Sequence, residues 1–286
     1  NVDTLFGQRA NEKKRAFKQA MKEEEMGNRK FIRMSSENDY DSNLTELNAT
    51  DAVNNGFIDH SDWLAHVMRY AAVIKYLKKS RIPHNRIIDI GCGRFPLLTF
   101  MWRNRVPLQD VTYIGIDLRA RENWFDMSLP DRPNIELIQA DIIDDDLSFI
   151  EKGDIVVCTE VLEHIDKVHA PKLLELMRSL VKDDGYVFLS SPNLGGSDSV
   201  ADNHTAADGS PREWTYAGKV ALLERAGFTI EMPMGTFIRL DNIPSDFYNE
   251  YTLSIKERLP NSFFRVFAAA AFPEQSNNAM FICRPQ

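Results

Sequence analysis

Cysteine is scarce in this chain, with Cys92, Cys158 and Cys283 its three thiols. They are too few and too scattered for a disulfide framework, and no CxxC spacing marks a zinc or redox site. Their places in apolar strand-like runs or a glycine turn point to reduced thiols and a cytoplasmic location. No apolar run approaches the roughly 20 residues of a membrane span. No secretory signal is legible in the opening residues, so no membrane partner is expected. Positive charge is also short, with 34 Lys and Arg against 42 Asp and Glu and a net charge of -8. That balance disfavours nonspecific binding to nucleic acid but leaves room for a local basic patch. Internal repeats are absent. The length of 286 residues suits one large domain with additions or two small ones.

The stretch that organises the rest is RIIDIGCGRFPLL, residues 86 to 98. Ile87, Ile88 and Ile90 form a short β-branched run that reads as a buried parallel strand. Asp89 interrupts it, and a buried carboxylate there needs hydrogen-bond partners. Gly91 and Gly93 allow a sharp turn and a close backbone approach. The apolar run from Pro96 to Trp102 can continue as a helix. Strand, glycine turn and helix N-terminus together suit a nucleotide-like ligand. The dinucleotide fingerprint GxGxxG needs a third glycine at position 96, where Pro96 stands, so a nicotinamide enzyme is the weakest rival.

Residues 8 to 33 alternate basic residues with Glu around Phe17, Met21 and Met26, and read as an exposed, partly amphipathic helix or a docking arm. Residues 35 to 60 carry no Lys or Arg and read as a loop, a linker or a lid. Ser61 can cap a helix running to about Lys79, with Asp62 favouring its dipole. Leu64, Val67, Ala71, Ile74 and Leu77 form its predicted inner face. Further strands are expected at Val111 to Ile116, Ile135 to Ala140, Asp154 to Thr159 and Tyr186 to Ser190. A helix covers Ala170 to Val181 and the DDG after it turns the chain. A helix from Thr215 to Ala226 ends at Gly227, followed by strands at Phe228 to Met232 and Asn278 to Cys283. Strands alternating with helices imply a doubly wound, mostly parallel seven-stranded α/β sheet. Ile243 to Ala271 reads as inserted helical structure beside the substrate, the cap insertion spanning about 236–272. The expected division is a 1–60 extension and a 61–286 catalytic domain.

Carboxylates close successive strands at Asp117 and Asp141, on the sheet edge where ligands bind in open α/β folds. GIDLRA, QADIID, CTEVLEHID and GYVFLSSPN, following the Asp-x-Gly-x-Gly turn in this order, resemble the motifs of the class I S-adenosylmethionine-dependent methyltransferases over about residues 61 to 235. The resemblance implies S-adenosylmethionine as cofactor and a Rossmann-like methyltransferase fold. It places Gly91, Cys92 and Gly93 against the methionine portion, with Asp89 fixing the loop and the amino group. Asp117, with Leu118 beside it, takes the ribose hydroxyls; Asp141 takes the adenine amino group and Ile142 the ring. Glu160 lines the methionine end. For Asp141 a helix N-cap, and for Asp89 a turn stabiliser, are the plain structural readings.

Glu160, Glu163 and His164 form ExxEH, and His204 precedes EWT at 213 to 215. Small-molecule methyltransferases resemble this pattern without a metal. Metal-assisted small-RNA 3′-terminal 2′-O-methyltransferases resemble it too, with two Glu and two His as ligands. The expectation here is no metal, with Glu160, Glu163, His164 and His204 as the alternative ligand set. His164 and His204 are the candidate bases for a hydroxyl acceptor, and Trp214 reads as a packing residue. The expected activity is methyl transfer to an O or N nucleophile of a small molecule such as a sugar or natural product. A nucleic-acid acceptor is second, and a catalytically silent cofactor-binding module is the rival of another class. Oligomeric state is left open.

Overall fold

The computed structural model describes residues 61–79, 86–93, 96–103, 111–119, 134–196 and 204–286. The predicted 8–33 helix and the 35–60 segment lie outside the described residues.

In β1 (Arg86–Ile90) successive side chains point to opposite faces of the sheet. Ile87 joins one core cluster, and Ile88 and Ile90 the other. Parallel neighbours flank the strand, β2 (Thr112–Asp117) on one side and β4 (Gly153–Thr159) on the other. With β3 (Ile135–Gln139), β5 (Val181–Pro192), β6 (Phe228–Phe237) and β7 (Asn278–Pro285), the order is β3-β2-β1-β4-β5-β7-β6. β7 runs antiparallel to both of its neighbours. The expected seven-stranded, mostly parallel Rossmann-like sheet is what the chain forms.

Helices cover both faces. α1 (Ser61–Lys79) and α2 (Pro96–Arg103) pack Tyr70, Val73, Leu77, Leu97 and Met101 on the Ile87 side. α3 (Ala170–Leu180) and α4 (Tyr216–Arg225) pack Leu173, Leu174, Met177 and Leu223 on the Ile88 side. Each fully buried aliphatic side chain contributes about 1.5–3 kcal/mol against exposure, so the sheet edge that carries the site rests on a well-covered core. Thr215 caps α4 by accepting a bond from the Gly218 amide at 3.0 Å. Gly227, at φ +79°, stops the helix in the left-handed conformation.

Four local expectations need correction. Ser61 lies inside α1, so it is not the residue before the first turn. The inner face of α1 holds at Leu64, Val67, Ile74 and Leu77 but not at Ala71, which is exposed, while Tyr70 and Val73 are buried. The aliphatic stripe ignored Tyr70, whose ring fills more of the core than a methyl group can. β5 begins at Val181, not Tyr186: Val181 pairs with Gly153 and Tyr186 with Ile155, so residues 182–185 bulge out without ending the strand. Lys182 Nζ closes that bulge on buried Asp154, 2.6 Å from its Oδ1. β6 runs through Pro233 to Phe237 because it is the edge strand, where proline removes no inner ladder bond, and bulges flank it.

Between β6 and β7 the insertion is helical, as expected. α5 (Glu250–Arg258) starts at a capping box on Asn249, and α6 (Asn261–Ala269) follows. Ile238, Ile243, Phe264, Ala268 and Ala269 give it a small core of its own. No described helix is long and apolar enough to cross a membrane.

Candidate active site

The C-terminal ends of β1, β2 and β4 surround a cavity of about 550 Å³. Its floor is the glycine turn. Gly91 and Gly93 hold φ of +69° and +50°, and the Gly91 and Cys92 amides both donate to the Ile116 carbonyl, at 2.8 and 3.1 Å. A Cβ on Gly91 would stand 2.1 Å from Val161 Cγ2. The backbone therefore comes close to β4's exit only because position 91 has no side chain.

Asp117 grips this turn. Its Oδ2 accepts the Gly93 amide and its Oδ1 the Arg119 amide, each at 2.9 Å. A carboxylate has about four acceptor sites, so two remain for a ligand's hydroxyls. Asp141 accepts the Ile143 amide at 2.8 Å, and its own amide donates to Asp145 at 2.7 Å. That is a self-closed turn, and turns rather than a helix follow it, so the N-cap reading does not hold.

Gly91, Cys92, Gly93, Asp117, Leu118, Asp141, Ile142 and Glu160 all line the cavity. Asp89 does not. It is 3% exposed beneath the turn, where the Tyr113 hydroxyl donates to its Oδ2 at 2.5 Å. Burial raises its pKa to about 7, and the Asp117 charge pushes the same way against the Tyr113 bond. Burial likewise pushes the Cys92 thiol well up, which makes it a packing group rather than a nucleophile.

The Asp89 shift has a stability consequence. The unfolded carboxyl ionises near its ordinary value of 3.8 while the folded one keeps its proton to about 7. Its contribution is therefore full at low pH and is lost as pH rises through about 7. Asp89→Asn keeps an acceptor for Tyr113 and cannot titrate. In urea unfolding, its stability relative to the parent protein is expected to increase from pH 5 to pH 8; a pH-independent difference contradicts the assignment.

Across the cavity, Glu160 occupies a left-handed conformation at φ +58°, uncommon for a residue with a Cβ. Its neighbours over-determine it. The Glu160 amide donates to the Ser190 carbonyl at 3.0 Å. Its carboxylate accepts from Ser190 Oγ at 3.1 Å and from Asn278 Nδ2 at 2.8 and 2.9 Å. Arg69, 2% exposed, adds an ion pair at 3.4 Å. Strain of this kind persists where surrounding structure enforces it, often at functional sites.

A single 3-10 turn, Leu162–His164, follows. His164 lines the cavity; His204 stands behind it, outside the lining, with ring centroids 5.0 Å apart. Glu213 holds His204 through Nδ1 at 2.8 Å. Arg212 fastens the same loop to Asp166 at 2.5 Å and to the Thr205 carbonyl at 2.9 Å. Glu163 is 2% exposed and its Oε2 has no partner among the described residues. Burial, then the charge of Glu160, raises its pKa well above the carboxylate range. Donor atoms of Glu163, His164 and His204 lie within 4.8 Å of one another, a group that does not include Glu160.

Sequence reasoning missed four contributors. His66 and Tyr70 of α1 line the cavity, and Arg69 between them reaches Glu160. Lys219 of α4 is fully buried and donates to the Ser191 and Pro192 carbonyls at 2.7 and 2.9 Å. The available signal was a His-x-x-Arg-Tyr group inside an otherwise apolar helix face.

A family model described as a methyltransferase domain matches residues 63–231. The chain belongs to that family, the class I S-adenosylmethionine-dependent methyltransferases, and S-adenosylmethionine is its cofactor. Among solved structures it is similar to a TehB-like SAM-dependent methyltransferase from Corynebacterium glutamicum, at 13% identity over 82% of this chain and 99% of that one, with a TM-score of 0.46. A SAM-dependent methyltransferase from Archaeoglobus fulgidus matches at 19% identity over 83% and 100%, TM-score 0.47. The magnesium protoporphyrin IX methyltransferase of Synechocystis PCC 6803 matches at 14% over 84% and 86%, TM-score 0.46. Three longer matched proteins are spanned to only 61%, 62% and 60% of their length. No curated protein matches the chain.

The residues present fit the cofactor. The glycine turn lines the cavity, and Asp117, Asp141 and Glu160 offer acceptors along it.

Proposed function

We propose that this chain transfers a methyl group to an O or N nucleophile of a small molecule such as a sugar or natural product. When bound, S-adenosylmethionine supplies an electrophilic methyl group on a sulfonium. Asp117 is assigned to the ribose hydroxyls, Asp141 and Ile142 to the adenine, and Gly91, Cys92 and Gly93 to the methionine portion. Leu118 covers the sugar, and Glu160 takes the amino group. Asp89, from below, stiffens the turn and adds negative charge when ionised. The catalytic domain is assigned to residues 61–286, with 1–60 as an extension. The free, buried cysteines support a reducing, cytoplasmic setting.

One observation carries the choice of chemistry: His164 stands at the cavity wall beside Glu160, with His204 fixed by Glu213 behind it. His164 is assigned to take an acceptor's proton, and His204 to hold its ring in place; His66 and His169 line the same cavity. Methyl transfer needs alignment and exclusion of water more than covalent help. The acids Asp117, Asp141, Asp144, Glu160 and Asp166 line the same cavity. They repel a phosphate backbone, which favours a small, non-anionic acceptor.

A second reading has its own observation. Glu163, His164 and His204 converge, and the buried, unpartnered Oε2 of Glu163 suits a cation. His204 bonded to Glu213 through Nδ1 resembles a carboxylate-oriented metal ligand. Mg²⁺ or Mn²⁺ held there would polarise an acceptor hydroxyl such as an RNA 2′-hydroxyl. Labelled-methyl transfer to hydroxyl and amine compounds and to a short RNA, with and without EDTA, separates the readings. The first predicts EDTA-insensitive transfer to a small molecule. EDTA-sensitive transfer to RNA selects the second, and cofactor binding with no transfer selects a silent module.

A further inference from the structure

Lys219 lies wholly buried near the start of α4, where the surrounding core is apolar. Its Nζ donates to the Ser191 and Pro192 carbonyls at 2.7 and 2.9 Å and stands 5.9 Å from the centre of the Phe281 ring. Two neutral carbonyls compensate a buried ammonium poorly, and such a charge persists beside opposite ones. Burial pulls its pKa down to about 7, and the charges of Glu160, Glu163 and Glu213 pull the other way. Packing α4 onto the sheet is served as well by an apolar side chain of similar volume. The lysine therefore has a second task, and its bonds show where.

The strand end that Lys219 pins is the one that holds Glu160. The Ser190 carbonyl accepts the Glu160 amide, and Ser190 Oγ donates to the Glu160 carboxylate. Ser191 and Pro192, the next two residues, are those that Lys219 holds. Pro192 pairs in the ladder with Asn278, whose side-chain amide donates to both Glu160 oxygens. Glu160 keeps its φ of +58° only while its neighbours enforce it. Slack at the end of β5 would loosen the Ser190 and Asn278 contacts together and free the carboxylate to turn from the cavity. Arg69, 3.4 Å from Oε1, is the other buried cation beside this group.

We propose that Lys219 is a positioning residue for the cofactor's amino group, fixing the Glu160 carboxylate through the end of β5 and through its own charge. It lies outside the cavity lining and touches no ligand. This rests on the assignment of Glu160 to the amino group made above.

Calorimetric titration of the full chain with S-adenosylmethionine and with 5′-methylthioadenosine, which lacks the amino-acid portion, tests it. Lys219→Met keeps the length of the side chain and removes the charge and the donors. It is expected to weaken S-adenosylmethionine about tenfold, the lower end for a hydrogen bond to a charged group. Binding of 5′-methylthioadenosine should not change. A lysine that only anchors α4 would weaken both ligands alike; that result, or weakening of neither, overturns the inference. Glu160→Gln run alongside separates the two levels. Undiminished S-adenosylmethionine binding in that variant removes the Glu160 assignment, and this inference with it. Binding weakened by Glu160→Gln but not by Lys219→Met removes this inference alone. The double variant should bind no more weakly than Glu160→Gln, since both changes act through one carboxylate. A further tenfold loss would mean that Lys219 acts by another route, and contradicts the proposal. In the unmutated protein, the slowly exchanging Lys219 side-chain nitrogen signal should shift on adding S-adenosylhomocysteine and not on adding 5′-methylthioadenosine. An equal response to both, or to neither, contradicts the proposal without recourse to any variant.

Discussion

Gly91→Ala is expected to remove measurable S-adenosylmethionine binding and to lower stability sharply. Two independent costs meet at this position. The new Cβ would lie 2.1 Å from Val161 Cγ2, where ordinary contact begins at about 3.4 Å. Relieving such an overlap in a packed site costs roughly 1–3 kcal/mol. The left-handed φ of +69° adds roughly 1–2 kcal/mol for a residue with a Cβ. Together these are a large fraction of the roughly 5–15 kcal/mol that holds a domain folded. Any relaxation must move the turn whose neighbouring Gly93 amide is bonded to Asp117, so the cavity's floor moves with it. Adding Val161→Ala leaves that residue's Cβ as the nearest atom, at 3.5 Å, and removes the overlap at the cost of Val161's own core packing, so Val161→Ala alone is the reference. The double variant should recover part of the thermal stability. Full recovery would mean that backbone strain is negligible, and no recovery that the overlap was not the cause.

His164→Ala is expected to lower the transfer rate by about 10²–10⁴-fold, the usual contribution of a general base, while S-adenosylmethionine affinity stays intact. The expectation follows from position. His164 lines the cavity, whereas His204 stands behind it and is engaged by Glu213. His204→Ala should therefore cost less, because it loosens the ring of His164 without removing the proton acceptor. Single-turnover rates with labelled cofactor and an acceptor hydroxyl compound provide the measurement. Equal losses from the two variants would shift weight to the metal reading, in which both histidines are ligands.

Much of this site was legible because its chemistry follows the chain locally. The glycine turn and the carboxylates at Asp117 and Asp141 each sit within a few residues of a strand's end, so strand, turn and acid are read together. The α1 contributions were hidden for the opposite reason. His66 and Tyr70 reach the cavity, and Arg69 reaches Glu160, only because tertiary packing lays that helix beside β4's exit, and the helix's own periodicity points to core. Glu160 was recognised, but not its support. The Asn278 amide that clamps it comes from the last strand, which joins the sheet antiparallel between β5 and β6. The DDG turn and Pro233 misled for a common reason: both break a local strand pattern, and both are absorbed by bulges.

The central claim is that the cavity at the ends of β1, β2 and β4 holds S-adenosylmethionine. Calorimetric titration with S-adenosylmethionine and, separately, NAD tests it most directly, with Asp117→Ala as the partner variant. The expected result is saturable binding of S-adenosylmethionine, no binding of NAD, and loss of at least about tenfold in affinity in the variant, as charge-assisted bonds to the ribose are removed. Binding of NAD alone, or S-adenosylmethionine binding indifferent to Asp117, would contradict the account.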